Sequence, residues 1–166
     1  MLTRHLSDNY QEFTRSTICY SNKDALNYLV MGLISEMAEF VSYSDTESEA
    51  GDVCWYIFRI VDNFGKNFYD EYHKAVLYSS DSFAESISRI ASLHKKYIRG
   101  DRIQSYPNKL INLVVNEFFY LERYFGKGAI PGILLKNKDK LIERQNKGVI
   151  RGSGETIEER ERTYVT

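Results

Sequence analysis

Four carboxylates in this chain stand at spacings that could hold a divalent cation. Glu36 and Glu39 are three residues apart, and so are Glu49 and Asp52. A step of three puts two helical side chains on one face, about one turn apart. From Glu36 to Asp52 there are six acids and no Lys or Arg, and carboxylates gathered so closely repel one another unless protons or cations neutralise them. Nine residues separate Glu39 from Glu49. That is enough to end a helix, turn and begin an antiparallel neighbour, so all four acids can converge near the turn of a hairpin. Oxygen ligands with no Cys or His among them suit Mg²⁺, which keeps waters and substrate phosphates in an octahedral shell, with Mn²⁺ able to substitute. The lack of a Glu-x-x-His pair argues against a ferritin-like di-iron bundle. Taken singly, each pair also fits a structural role: Glu49 in a capping box, Asp52 near a helix N-terminus, Glu36 and Glu39 on a polar face.

The elements that must position these acids read as helices throughout. A first helix is predicted over about residues 5 to 18, and Asp24 is the expected N-cap of a second. Leu26, Leu29, Val30, Leu33, Met37 and Phe40 recur at steps of three and four, the apolar face of a helix running to about Tyr43. Glu36 lies within that stripe. Thr46 and Glu49 form a T-x-x-E capping box opening a third helix, whose stripe runs from Val53 through Tyr56, Ile57, Ile60 and Val61 to Phe64 before Gly65. Residues 66–81 read as a connection. Ser82 and Glu85 make another capping box for a fourth helix, with Phe83, Ile87, Ile90, Ala91, His94 and Ile98 on its stripe and Gly100 as its stop. A fifth runs from about Pro107 to Phe125, and a short sixth covers about Leu134 to Arg144. The expected fold is therefore all-α, a bundle of about five to six helices over residues 1–147. A glycine-rich, charged tail follows over 148–166.

Composition agrees with this class. A chain of 166 residues with 43% apolar and 27% charged residues can bury a globular core, and only 2 prolines favour long helices over a turn-dense β-sandwich. Two cysteines, Cys19 and Cys54, make no disulfide framework, no apolar run approaches the roughly 20 residues that span a bilayer, and the N-terminal residues do not read as a secretory leader. A cytoplasmic location is the expectation. The net charge of -1 averages over two unlike halves. Residues 1–90 carry 7 Lys and Arg against 14 Asp and Glu, whereas residues 91–166 carry 15 against 9. Folding can bring the two halves together around a ligand that carries both cations and anions. His94, on an apolar stripe, and Cys54, inside one, read as core residues, and helix packing is the better reading for Trp55 and Tyr56.

The segment Gly32-Leu33-Ile34-Ser35-Glu36-Met37-Ala38-Glu39, followed by Glu49-Ala50-Gly51-Asp52-Val53-Cys54-Trp55-Tyr56, resembles the E-x-x-E and E-x-x-D signature of the MazG-like, all-α nucleoside triphosphate pyrophosphatases. Near the C-terminus Asn137, Lys140-Leu141, Arg144 and Gly148-Val149-Ile150-Arg151-Gly152-Ser153-Gly154 are similar to the tail segment of many bacterial and phage members. The stretch between the two acid pairs is shorter than is usual in the family, which implies a tight hairpin. The resemblance implies hydrolysis of a nucleoside triphosphate to the monophosphate and pyrophosphate, with Glu36, Glu39, Glu49 and Asp52 as Mg²⁺ ligands, one of them instead accepting the proton of the attacking water. It also implies a homodimer or homotetramer.

A triphosphate needs cations that the acidic hairpin lacks. Lys95, Arg99 and Arg102 share one helix face, as do Asn137, Lys140 and Arg144, and these are the candidate phosphate contacts, with Arg151 in a glycine-rich segment that could fold over the substrate. That segment lacks the G-K-[ST] ending of a phosphate-binding P-loop. The contrasting reading is a non-catalytic helical module whose basic half binds nucleic acid, which would show salt-sensitive binding without metal dependence. The enzymatic reading expects a nucleotide substrate and neither nucleic acid nor membrane as partner.

Overall fold

The computed structural model describes residues 1–43, 46–78 and 82–150. Among them the chain forms seven α-helices and no strand: α1 (Arg4–Ser16), α2 (Ala25–Ser42), α3 (Thr46–Asn63), α4 (Phe68–Lys74), α5 (Phe83–Ile98), α6 (Tyr106–Phe125) and α7 (Ile130–Asn146). A single 3-10 turn (Asn22–Asp24) leads into α2. The all-α class is as expected and the helix count is higher by one. The addition is α4, in the stretch read as a connection. Seven residues are too few to show a helical period, and what holds α4 is local capping plus side chains that reach other helices, among them Tyr72, whose hydroxyl donates to Glu122 at 2.9 Å. Asn67 caps it by accepting from the Asp70 amide, and the fully buried Phe68 stacks on Phe58 with ring centroids 3.9 Å apart.

Two other boundaries differ from the sequence reading. Helix α7 begins at Ile130 rather than near Leu134, with Pro131 in its first turn. There the missing proline N–H leaves no hydrogen bond unmade, so a residue that looks like a break is a start. Thr46 is the first helical residue of α3 rather than its cap, which leaves Glu47 and Glu49 in the first turn, where the helix dipole favours acids. The capping box before α5 is present in part, with Ser82 accepting from the Glu85 amide at 3.3 Å.

Helix α3 is the centre of the bundle. Val53, Cys54, Ile57, Phe58, Ile60 and Val61 are fully buried, and α1, α2, α4, α6 and α7 all pack against it. Each such side chain contributes about 1.5–3 kcal/mol on burial, which explains why the apolar run from Val53 is continuous rather than one-sided. Helices α2 and α3 form an antiparallel hairpin in which Gly32 lies level with Tyr56 and Glu36 with Asp52. The approach at Gly32 is so close that a Cβ there would sit 2.2 Å from a Tyr56 ring carbon.

At the far end of α3, Gln11 ties α1 to the bundle. Its amide donates to Asp62 Oδ1 at 2.9 Å and the Lys66 carbonyl at 2.8 Å, and its oxygen accepts from the Phe68 amide. His94 is a core residue, with Nδ1 2.7 Å from the Tyr106 hydroxyl and Nε2 2.9 Å from Asn27 Oδ1. Burial holds its pKa below the usual imidazole range. Cys54 is fully buried, and burial first, then the nearby Asp52 and Glu122, raises its thiol pKa out of reach of a nucleophile's. Among the described residues no helix is long and apolar enough to cross a membrane.

Candidate functional site

The α2–α3 hairpin does what the spacing of its acids requires. Glu36 and Glu39 from α2 and Glu49 and Asp52 from α3 all line one cleft of about 390 Å³, within the range of about 300–1,000 Å³ usual for small-molecule sites. Glu36, Glu49 and Asp52 form a tight triple, each offering a carboxylate oxygen within 4.8 Å of the other two. Glu39 stands beside the triple, with one oxygen accepting from the Ser35 hydroxyl at 3.3 Å. All four acids are half-buried.

Helix α7 closes the cleft from the other side. Lys140 Nζ donates to Asp52 Oδ2 at 2.6 Å and to Ser48 Oγ at 3.2 Å, and Asn137 Nδ2 donates to Asp52 Oδ1 at 2.8 Å. Both oxygens of Asp52 are thereby fixed. Gly51 makes room for this, since a Cβ there would lie 2.9 Å from the Asn137 Cβ. Arg144 and Ile150 complete the rim, and a smaller hollow next to it is lined by Glu47, Ser48, Lys136, Asn137 and Lys140, with Lys136 paired to Glu47.

The electrostatics of the triple are those of a site short of positive charge. Burial first, then the charges of Asp52, Glu39 and Glu49, push the Glu36 carboxyl up to about 8, and Lys140 pulls the other way. A carboxyl so perturbed is protonated at neutral pH unless a cation takes the proton's place. One carboxylate oxygen from each of Glu36, Glu49 and Asp52 lies near enough to the other two for the three acids together to hold one divalent ion. Hard oxygen donors, partial burial and unbalanced negative charge all fit such an ion.

The third wall is aromatic. Tyr28, Trp55 and Tyr56 line the cleft together with Cys19. Trp55 is committed to packing, as the sequence reading has it: it is buried and its indole N–H donates to Thr17 Oγ1 at 2.8 Å, which pins the α1–α2 connection over α3. Tyr56 is pressed on Gly32, and Tyr28 stacks on Tyr20 with centroids 4.7 Å apart.

The other expected cations lie elsewhere. Lys95 and Arg99 are exposed and do not line the cleft, and Arg99 is held by Asp101 through bonds of 2.9 and 2.5 Å. The C-terminal end of α5 sits beside the first turn of α2, where His94 meets Asn27. Glu36 is nine residues further along α2, about 13 Å at 1.5 Å per residue. Arg102 lies beyond the end of α5 and also off the cleft. Arg151 and the rest of the expected flap after Ile150 fall outside the described residues.

Sequence reasoning missed Tyr10, Tyr28, Cys19, Ser48 and Lys136. Only Ser48 carried a usable signal, as a hydroxyl in the first turn of α3 next to Glu49. Tyr28 shares α2 with Glu36, about two turns before it, and Lys136 shares α7 with Lys140, but as an aromatic and a lysine on helix faces neither stands out. Tyr10 and Cys19 come from segments that no local period connects to the acids. No protein-family model, curated protein or solved structure matches this chain.

Proposed function

We propose that the chain is a Mg²⁺-dependent nucleoside triphosphate pyrophosphohydrolase of the MazG-like kind, cleaving an NTP or dNTP to the monophosphate and pyrophosphate. The observation that carries this reading is a single cleft with three unlike walls: the acidic triple, the Lys140 and Arg144 side of α7, and the Tyr28 and Tyr56 rings. A metal-bound nucleotide presents the matching set of cation, phosphates and base. Glu36, Glu49 and Asp52 would hold the metal, with Mn²⁺ able to replace Mg²⁺. When bound, the ion supplies charge neutralisation on the phosphates and lowers the pKa of water. Lys140 and Arg144 bind phosphate oxygens, and Glu39, outside the tight triple, is the acid left to accept the attacking water's proton.

The test is to incubate the purified chain with a panel of NTPs and dNTPs plus Mg²⁺ and follow monophosphate and pyrophosphate release. Turnover of at least one nucleotide is expected, lost in Glu39→Gln. No turnover of any nucleotide, or a fully active Glu39→Gln, refutes the proposal.

Nucleic-acid binding is the less favoured reading. It needs a bare basic face, yet Arg99, Lys136, Lys140 and Lys147 in the basic half each pair with a carboxylate. A homodimer or homotetramer agrees with the outer face of α2. Its exposed residues Asn27, Tyr28, Met31, Ser35, Ala38, Val41 and Ser42 include no charged group, and Met31 is 69% exposed. A cytoplasmic location agrees with two cysteines that are both free thiols.

A further inference from the structure

Beneath the cleft floor a buried polar chain runs from α1 to the acid triple. The Tyr10 hydroxyl donates to Asn137 Oδ1 at 2.7 Å, and Asn137 Nδ2 donates to Asp52 Oδ1 at 2.8 Å. Tyr10 is 2% exposed and Asn137 3%, so both are almost wholly withdrawn from solvent. The chain has one sense only. Asp52 accepts at Oδ2 from the Lys140 ammonium and at Oδ1 from the NH₂ end of the Asn137 amide; that turns the Asn137 oxygen to Tyr10, which must then donate. An amide turned the other way would set its oxygen against the carboxylate. We infer that Tyr10 is a positioning residue for the acid cluster, fixing the orientation of Asn137 and through it the aim of Asp52. The inference rests on the metal-binding part of the proposed function and on none of its nucleotide chemistry.

The surroundings hold Tyr10 as rigidly as this role demands. Its ring meets the edge of Phe58 at 4.9 Å, and the adjacent Gln11 locks α1 to the end of α3 and the start of α4. Burial raises the phenol's pKa well above its ordinary value, so the hydroxyl keeps the proton it donates. Asn137 reaches Asp52 because residue 51 has no Cβ.

The test uses the full chain without nucleotide. Mn²⁺ affinity is measured by electron paramagnetic resonance for the wild type, Tyr10→Phe, Asn137→Ala and the double variant, with thermal unfolding of each. Partners that orient a metal ligand typically change affinity by about 10–100-fold. Tyr10→Phe, which keeps the ring on Phe58, is expected to weaken Mn²⁺ binding roughly tenfold, at the low end of that range. The double variant is expected to bind no more weakly than Asn137→Ala, because the phenol acts only through the amide. A purely structural tyrosine would lower the unfolding temperature and leave Mn²⁺ affinity unchanged. That result, or losses that simply multiply in the double variant, overturns the inference. Wild type that binds Mn²⁺ with the predicted Tyr10 dependence but hydrolyses no nucleotide refutes the hydrolase reading and upholds the positioning role of Tyr10, whereas wild type that binds no Mn²⁺ overturns both.

Discussion

Lys140 Nζ lies 2.6 Å from Asp52 Oδ2 in a pair whose side chains are only 25% and 20% exposed. The lysine thus sits where a cation held by the triple would feel it most. A metal and Lys140 compete for the same carboxylate and repel each other, while both attract phosphate. Lys140→Met should therefore separate the two functions. Calorimetric titration of the nucleotide-free protein is expected to show Mn²⁺ binding tightened severalfold, and steady-state kinetics to show KM for the nucleotide raised about tenfold, the loss of one charge-assisted phosphate contact. Weaker metal binding in this variant would mean that Lys140 organises Asp52 rather than competing for it.

The perturbed Glu36 makes a prediction about pH. Its folded pKa of about 8 stands above the unfolded value of about 4.3. Between those values the folded state binds more protons than the unfolded one, so the stability tied to Glu36 is complete below the lower value and declines as pH rises toward the upper. Urea unfolding of the metal-free protein from pH 5 to 8.5 is expected to show a falling midpoint, and Glu36→Gln to flatten that fall. Millimolar Mg²⁺ is expected to restore stability most at the alkaline end, where metal and proton no longer compete. An equal pH slope in the variant would show that another group carries the dependence.

The acids were legible because their information is local. Two i, i+3 pairs on two helices joined by a short turn have few ways to be arranged, and Leu33, Met37 and Val53 already show which faces turn inward. The same logic of shared faces applied to Lys95 and Arg99 selected real helical neighbours but could not tell which end of α2 they would meet. That depends on α5 docking through His94 and Asn27, 67 residues apart and joined by no period. Tyr10 and Asn137 lie 127 residues apart, and a tyrosine in an amphipathic first helix looks like any other core aromatic. Helix α4 was hidden for a related reason: Phe68, its one fully buried residue, needs a partner from α3 before it marks a helix at all.

Two glycines within helices are held there by contact rather than by backbone conformation. A Cβ at Gly51 would meet the Asn137 Cβ at 2.9 Å, and one at Gly32 would meet Tyr56 carbons at 2.2 and 2.3 Å. In an open helix, Gly→Ala gains about 1 kcal/mol. Here overpacking of about 1–3 kcal/mol opposes that gain. Gly51→Ala is expected to lose stability by about 1 kcal/mol, the difference between those effects, and to weaken Mn²⁺ binding by displacing Asn137. Gly32→Ala is expected to move the Tyr56 ring, read as a changed tyrosine signal in near-ultraviolet circular dichroism, with metal affinity less affected. If Gly51→Ala is stabilised instead, the close approach of α7 to α3 is wrong.

The uncharged outer face of α2 bears on whether the cleft works alone. Met31 is 69% exposed and Val41 59%, with Ser35 and Ala38 between them offering little bulk, so a second helix could approach closely along this line. It runs along the same helix that carries Glu36 and Glu39, so covering it would hold their backbone against a partner. The proposed self-association is expected to use this face. Light scattering coupled to size exclusion should give a dimer or tetramer for the wild type at micromolar concentration and a monomer for Met31→Glu combined with Val41→Glu, whose buried charges would cost several kcal/mol per ion. A wild type that is already monomeric rules the interface out. A double variant that remains oligomeric moves the interface to another face.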